Sequence, residues 1–276
     1  MILRSLLLLL AALLLLPARA KCEETTATSL QEKLRNLLCQ SNLRHIYTAF
    51  KSYSDAHKGR LPDANDQSVR PWLWWDQDLH AYVSDLRVFY CPTATPQYFP
   101  LLEKAQPTTL RLKSGKEIAA IPLDVQSDGL VVATGENYEQ VQIIALSDLP
   151  PSDAARWRLL AQGDRSPLLP VTWERRDIGY GMNYRFGSPY AKISGYNFAK
   201  MQQPEKTVLI GDSNHLLLRP TETMWKKDAA PRHSGCANFL FADGHIEALE
   251  PHPDDYSRPD APGVLNLSHW IPKFAP

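Results

Sequence analysis

The chain has 276 residues, of which 44% are hydrophobic and 22% are charged, and its 30 basic and 30 acidic residues give a formal net charge of zero. This balance argues against a nucleic-acid-binding protein, which normally carries an excess of basic residues. The ordinary content of charged and aromatic residues also excludes a disordered acidic protein, and the length allows one or two folded domains.

The first twenty residues have the pattern of a cleavable signal peptide. Arg4 gives a positive start, the run from Ser5 to Leu16 is almost entirely apolar, and Ala18-Arg19-Ala20 matches a small-residue cleavage site. The run is shorter than the ~20 residues that a membrane-spanning helix needs. We therefore expect residues 1–20 to be removed, which leaves a secreted or periplasmic protein without a stable membrane anchor.

Apolar residues recur at helical spacing between Thr28 and Lys58, and they predict one amphipathic helix of about 30 residues. Ser29 and Glu32 have the spacing of a capping box at its start, and Gly59 follows as a stop signal. The rest of the segment 21–106 is irregular and contains Trp72, Trp74 and Trp75. These rings are typical of a small aromatic core, and an exposed carbohydrate-binding surface is the alternative.

Residues 107–162 change in character. Short alternating segments are separated by the turn signals Ser114-Gly115 and Ser127-Asp128-Gly129, and Pro150-Pro151 opens a short helix. Several short strands with turn signals predict a small β-barrel. We therefore interpret this segment as an inserted module of small β-barrel plus helix.

Residues 163–250 predict a second β region, and residues 251–276 predict an extended tail rich in proline. The strongest signal is a hairpin of Cys236–Ala242 and His245–Leu249 around Asp243-Gly244, a dipeptide that favours a type I′ turn. The fold class is therefore α+β, with a long helix followed by two β regions.

The most suggestive polar residues lie in and near this hairpin. Two imidazoles and two carboxylates could bind a divalent metal or support hydrolysis, and they belong to His233, His245, Asp212 and Asp243. The structural alternative, which we favour, is that Asp243 and Gly244 build the turn and His233 fixes the hairpin. No nucleophile elbow or phosphate loop is present. We expect no catalytic residue and no cofactor.

The chain has four cysteines, Cys22, Cys39, Cys91 and Cys236. An oxidising compartment permits disulfides, and three complete pairings are open. No two cysteines form a C-x-x-C motif, so the sequence does not indicate a zinc ribbon.

Several motifs occur together in one order. They are Cys39-Gln40-Ser41-Asn42-Leu43-Arg44, Gly59-Arg60-Leu61-Pro62, Tyr90-Cys91-Pro92, Gly179-Tyr180-Gly181-Met182-Asn183, Leu209-Ile210-Gly211-Asp212-Ser213, and Arg232-His233-Ser234-Gly235 followed by Asp243-Gly244-His245. This combination resembles the prepilin-type processing-associated family, which is named for its C-terminal His, nine-residue, Asp-Gly spacing. Such domains typically accompany pseudopilin-like proteins of type II secretion. The resemblance covers most of residues 36–100 and 176–250.

The resemblance implies a pilin-like fold, in which the long helix packs on an antiparallel sheet and a bridge joins Cys39 to Cys91. The helix stripe expected to be buried comprises Leu34, Leu37, Leu38, Ile46 and Phe50. A prepilin leader is replaced here by an ordinary signal peptide, and the inserted module resembles a small SH3-like barrel. The implied function is that of a secreted pseudopilin-like structural or interaction protein of the cell envelope with a protein or glycan partner. The alternatives are an exported metal-dependent hydrolase and a carbohydrate-binding module.

Overall fold

The computed structural model describes residues 30–66, 73–94, 107–126, 129–136, 138–162, 179–183, 186, 197–218, 228–250 and 273–274. The predicted signal peptide, Cys22, Trp72 and almost all of the predicted tail lie outside the described residues. Three α-helices are present among them: α1 (Leu30–Ala56), α2 (Trp75–Leu79) and α3 (Pro151–Gln162). The strands are β1 (Asn65–Asp66), β2 (Leu73–Trp74), β3 (Thr108–Arg111), β4 (Glu117–Val125), β5 (Gly129–Thr134), β6 (Gln140–Ala145), β7 (Tyr180–Asn183), β8 (Met201–Gln202), β9 (Val208–Asp212), β10 (Leu217–Leu218), β11 (Ala237–Phe241), β12 (Ile246–Leu249) and β13 (Lys273–Phe274).

The main sheet has five strands in the order β10-β7-β9-β11-β12. All of its pairs are antiparallel except the short parallel pair of β10 with β7. Every residue of β7, β9 and β11 is buried, which indicates that both faces of the sheet are covered. The α+β class, with an N-terminal helix and antiparallel sheets, is therefore confirmed.

Helix α1 lies on one face of this sheet. Its Leu43, Ile46 and Phe50 share a core with Leu209 and Leu240 of the sheet. Because side chains alternate along a strand, Ala237, Phe239 and Phe241 of β11 join a separate apolar cluster on the opposite face. The predicted helix is thus present, and its buried apolar contacts come from its middle and C-terminal parts.

The predicted buried stripe of α1 is wrong for three of its five residues. Ile46 and Phe50 are buried, whereas Leu34, Leu37 and Leu38 are between 52% and 60% exposed. Helical spacing explains the difference. The buried side of α1, which carries Ile46 and Leu43, continues towards the N-terminus with Cys39, Asn36 and Glu32. The N-terminal part of α1 therefore turns a polar line to the sheet and its leucines away from it.

The inserted segment is an open sheet and not a closed barrel. Its strands form an antiparallel meander in the order β3-β4-β5-β6, and no described residues pair β3 with β6. One face of the meander packs with Ala154 and Trp157 of α3. The other face places Ile121, Leu123 and Val131 in the core that contains α1. Because both faces are covered in this way, the strands do not have to close on themselves to bury their apolar side chains.

The predicted hairpin of β11 and β12 is confirmed, although its turn differs from the expected type. The backbone N–H of Phe241 donates to the carbonyl of His245, so that three residues lie in the loop between them. The N–H of Gly244 donates to the carbonyl of Phe241. Gly244 has a positive φ of 96°, whereas Asp243 does not have a positive φ. This pattern is typical of a three-residue loop, a type I turn followed by a left-handed glycine, and not of a two-residue type I′ turn.

Within the described part of the chain, none of the helices combines the length and the apolar character needed to cross a bilayer.

Candidate functional site

Four side chains that can bind metal converge between α1 and the main sheet. They belong to Cys39, Cys91, Asp212 and His233, and one ligand atom from each lies within 4.8 Å of the others. All four residues are buried, with exposed fractions of 0% to 3%. We call this group the Cys–Asp–His cluster. It is the one such group that the described residues contain.

The two cysteines reach the cluster from α1 and from the loop after α2. Cys39 lies on the polar line of α1, and the side-chain amide of Asn42, one turn further along, donates to the carbonyl of Tyr90 at 2.9 Å. This bond ties the helix to the residue before Cys91. Gly179 makes room for the loop, because a Cβ at Gly179 would lie 2.6 Å from the Cβ of Cys91.

Asp212 is the last residue of β9, and its carboxylate is held on two sides. Oδ2 accepts the backbone N–H of Asn238 in the neighbouring strand at 2.7 Å, and Oδ1 accepts the thiol of Cys39 at 3.2 Å. The side-chain amide of Asn238 also approaches Cys39 Sγ at 3.4 Å. The strand pairing of β9 and β11 therefore fixes the position of this carboxylate beneath the helix.

His233 is placed by a tight turn just before β11. It exchanges two backbone hydrogen bonds of 3.0 Å with Cys236 across Ser234 and Gly235, which both have positive φ. This pattern is typical of a type I′ turn. Arg232 braces the turn, because its guanidinium donates to the carbonyls of Gly179 and Ser213 at 3.0 and 2.8 Å.

The imidazole of His233 has two distinct sides. Nε2 faces the cluster, 3.6 Å from Cys91 Sγ and 3.4 Å from Asp212 Oδ2. Nδ1 points outwards, 3.7 Å from the carboxylate of Glu32 on α1 and 3.5 Å from the hydroxyl of Thr93. The ring therefore connects the interior of the cluster to an outer carboxylate.

The electrostatics of the cluster follow from its burial and its short contacts. A hydrogen bond from Cys39 and the nearby imidazole of His233 lower the pKa of Cys91 to about 4, although burial opposes this shift. Burial and the negative charge of Cys91 raise the pKa of Asp212 to about 7. Burial also raises the pKa of Cys39, and contact with Cys91 and Asp212 raises it further. Burial lowers the pKa of His233, but Cys91 and Asp212 outweigh it, so that its pKa is raised.

Three kinds of chemistry are open to this arrangement. A Cys–His pair with a lowered thiol pKa is typical of a nucleophile, but a substrate must be able to reach it. A disulfide needs only the two cysteines, and the structure has both Cys39 and Cys91 as free thiols, so that the implied bridge is not formed in it. Cys236 is instead disulfide-bonded. A metal ion would use all four side chains, and their burial favours this use over nucleophilic catalysis.

The structure divides the polar residues that the sequence singled out. Asp212 and His233 belong to the cluster, whereas Asp243 and His245 lie in the hairpin turn. There Nδ1 of His245 pairs with the Asp243 carboxylate, and each of the two side chains is 34% exposed. The His245 ring also stacks on Phe241, with ring centroids 4.3 Å apart. The four predicted residues therefore do not form one site.

Gly244 has a structural role at the same turn. A Cβ on this residue would lie 2.6 Å from the ring of Tyr47 on α1, whose hydroxyl donates to the carbonyl of Ala242 at 3.4 Å. His233 contacts Glu32, which lies near the N-terminus of the same helix. The two ends of the His, nine-residue, Asp-Gly motif thus contact α1 at separate places and hold it against the sheet.

The tryptophans do not present a described common surface. Trp75 is fully buried; its ring stacks on Phe50, and its indole N–H donates to the carbonyl of Leu216 at 2.9 Å. Trp74 belongs to β2, but its side chain is not described, and Trp72 lies outside the described residues. Trp75 is therefore part of the core and not of a ligand surface.

Sequence reasoning missed the grouping of the two cysteines with Asp212 and His233. The available signal was the helical spacing of Glu32, Asn36 and Cys39, which puts all three on one face of α1. A polar line with a cysteine on an otherwise amphipathic helix indicates a buried polar partner.

No protein-family model matches the sequence, and no curated protein or solved structure is significantly similar to it.

Proposed function

We propose that this chain is an exported, pseudopilin-like structural or interaction protein of the cell envelope that has no catalytic role. The observation that carries the proposal is a row of exposed leucines on α1, a helix whose opposite side is fixed to the main sheet. This row, which we call the leucine face, comprises Leu30, Leu34, Leu37 and Leu38, with exposed fractions of 52% to 74%.

The pilin-like part of the proposal rests on the arrangement of helix α1 and the main sheet. Helix α1 spans 27 residues and lies on an antiparallel sheet through Leu43, Ile46 and Phe50. The motif resemblance named above implies the same arrangement. An exposed apolar helix face is typical of a surface that packs against another protein.

The charges around the leucine face indicate the chemistry of the partner. Lys33, Arg35 and Arg44 are exposed on the same part of α1, and helical spacing places them along the borders of the leucine row. A complementary surface would carry apolar residues flanked by acidic ones. The partner we propose is therefore an amphipathic helix of another envelope protein with acidic flanks.

The lack of a catalytic role is supported by the burial of the cluster. Its four residues are at most 3% exposed, so that a substrate has no direct route to the thiol of Cys91 or the imidazole of His233. The buried ring of Trp75 likewise speaks against the carbohydrate-binding alternative.

Photocrosslinking tests the proposed interface directly. A photoreactive amino acid at position 37 of the exported chain is expected to give one major adduct in the envelope fraction, identified by mass spectrometry as a protein with an acidic amphipathic helix. Leu34→Glu in the same chain should abolish this adduct, because it places a charge in the apolar contact. The control is the same photoreactive amino acid at position 159, since Leu159 is an exposed leucine on α3.

Three outcomes would contradict the proposal. The first is an adduct between two copies of this chain, the second is the same adduct from positions 37 and 159, and the third is an adduct that persists in the Leu34→Glu chain.

A further inference from the structure

We propose that the Cys–Asp–His cluster is a structural zinc site, in which Cys39 Sγ, Cys91 Sγ, an oxygen of Asp212 and Nε2 of His233 bind one Zn²⁺. This inference goes beyond the proposed function, since an interaction surface on α1 does not itself require a metal. It also differs from the metal site that the sequence suggested, because it replaces Asp243 and His245 with two cysteines.

Three distances within the cluster are close to those between the ligands of a tetrahedral zinc ion. Zinc binds sulfur at about 2.3 Å and nitrogen or oxygen at about 2.0–2.2 Å, so that the edges of the tetrahedron measure roughly 3.3–3.8 Å. The structure places Cys39 Sγ 3.2 Å from Asp212 Oδ1, and His233 Nε2 lies 3.4 Å from Asp212 Oδ2 and 3.6 Å from Cys91 Sγ. Two of these spacings fall in that range and the third is slightly shorter, and one ligand atom from each of the four residues lies within 4.8 Å of the others. Binding through a single oxygen of Asp212 would therefore need only small movements of the side chains.

The types of ligand select the metal. Thiolates bind borderline and soft ions well, whereas calcium and magnesium prefer oxygen ligands. Two sulfurs, one nitrogen and one oxygen in a tetrahedral arrangement are typical of zinc. Because four protein side chains fill the coordination sphere and all are buried, no position is open for a substrate, which is the property of a structural site.

The outer contacts match those of ligating side chains. A histidine that binds metal usually donates its second ring N–H to a carboxylate or a carbonyl, and Nδ1 of His233 faces Glu32 at 3.7 Å. Asn238 supports two ligands, through its backbone N–H to Asp212 at 2.7 Å and its side-chain amide near Cys39 at 3.4 Å. These contacts orient the imidazole and the carboxylate towards the centre of the cluster.

Metal binding would also neutralise a costly group of buried side chains. Burial of thiolates, a carboxylate and an imidazole is unfavourable unless their charges are compensated. On binding, Zn²⁺ displaces the protons that its four ligands still carry, that of Cys39 among them; these protons pass to solvent, and no electron is transferred. Since the ligands come from α1, the loop at Cys91, the end of β9 and the turn before β11, the ion would join the helix to the sheet.

The first test uses the full exported chain, purified under reducing conditions, loaded with zinc chloride and desalted. We expect elemental analysis to find about one zinc per chain. The thiols of Cys39 and Cys91 should resist alkylation until a chelator removes the metal, and cobalt(II) should give the intense visible absorption of a four-coordinate thiolate complex. A chain that holds no zinc, or whose two thiols react equally with and without zinc, would overturn the proposal. A non-reducing peptide map of the chain as exported that shows Cys39 joined to Cys91 would also overturn it.

Variants separate ligands from neighbouring residues. His233→Gln and Cys91→Ser should each weaken zinc binding by more than about 100-fold, and Glu32→Gln, which alters only an outer contact, by about 10-fold to 100-fold in a chelator competition. The matched control is Asp243→Asn with His245→Gln, which removes the same kinds of group from the same hairpin and should leave zinc binding unchanged. Equal loss in the control and in His233→Gln would refute the assignment. If a ligand variant fails to fold, the cobalt spectrum and thiol protection of the unaltered chain decide the question.

Discussion

Gly244 is the residue at which the hairpin turn meets helix α1. It has a φ of 96°, and a Cβ there would approach the Tyr47 ring to 2.6 Å. Gly244→Ala therefore introduces both an unfavourable backbone conformation and a steric clash. We expect it to lower the free energy of unfolding by about 2–4 kcal/mol, measured by denaturant titration.

The control for this substitution is Gly115→Ala. Gly115 has a similar positive φ of 83°, but a Cβ added there would have nothing within 4 Å. It should lose only the conformational part, about 1–2 kcal/mol. Equal losses for the two variants would show that contact with Tyr47 is unimportant.

At the scale of single residues, the sequence predicted some members of the cluster but not their partners. The sequence groups Asp212 and His233 with Asp243 and His245 because all four are polar residues in or near the hairpin motifs. The pairing of β9 with β11 instead puts Asp212 next to Asn238, and α1 supplies Cys39 from 173 residues away. Contacts over such separations depend on tertiary packing, which local spacing does not encode.

Helix α1 presents two faces with different energetic roles. Leu43 is fully buried beneath the helix, whereas Leu38 is 55% exposed on the leucine face. Leu43→Ala should lower the free energy of unfolding by about 2–5 kcal/mol, because it leaves a cavity in the core. Leu38→Ala should change it by no more than about 0.5 kcal/mol.

The two variants share one residue type on one helix, so that differences in helix propensity cancel. Thermal or denaturant unfolding of each variant alongside the unaltered chain provides the measurement. A large loss for Leu38→Ala would mean that its face is covered within the molecule, which would contradict the proposed interaction surface.

At the scale of elements, periodicity predicted the helix but not which side of it is buried. The leucines form the most apolar row near its N-terminus, and hydrophobicity alone therefore favoured their burial. The helix instead faces the sheet with Glu32, Asn36 and Cys39, because the residues opposite them are polar, namely Asp212 and Asn238 of the sheet and His233 in the turn before β11. Matching of polar groups between two elements outweighed the apolar pattern of one of them.

The inserted meander is joined to the rest of the molecule through one of its faces. Val131 and Val132 are neighbours on β5 and both are fully buried, but Val131 packs in the core with α1 and Val132 packs beneath α3. Because the two cores share the strands of one sheet, we expect the whole chain to unfold in a single transition. Val131→Ala and Val132→Ala should each lower the free energy of unfolding by about 1.5–3 kcal/mol, and each should therefore move the midpoint of that single transition downwards.

Coincident unfolding curves from circular dichroism and tryptophan fluorescence would support this expectation. A separate transition at lower denaturant that only Val132→Ala shifts would contradict it, because the meander and α3 would then unfold before the rest of the chain. The sequence predicted a self-contained barrel here because its strands are short and alternating. Alternation shows that a strand has two faces, but it does not show whether the second face is covered by closure, by a helix or by another core.

The residues of the Cys–Asp–His cluster are far apart along the chain, and this separation bears on the timing of its assembly. Asp212 lies 173 residues after Cys39, and His233 lies 142 residues after Cys91. A chain exported from its N-terminus would present both thiols to an oxidising compartment before the carboxylate and the imidazole have emerged. Oxidation of the thiols would then compete with completion of the chain, so that the zinc site requires translocation to bring Asp212 and His233 out before the two thiols are joined.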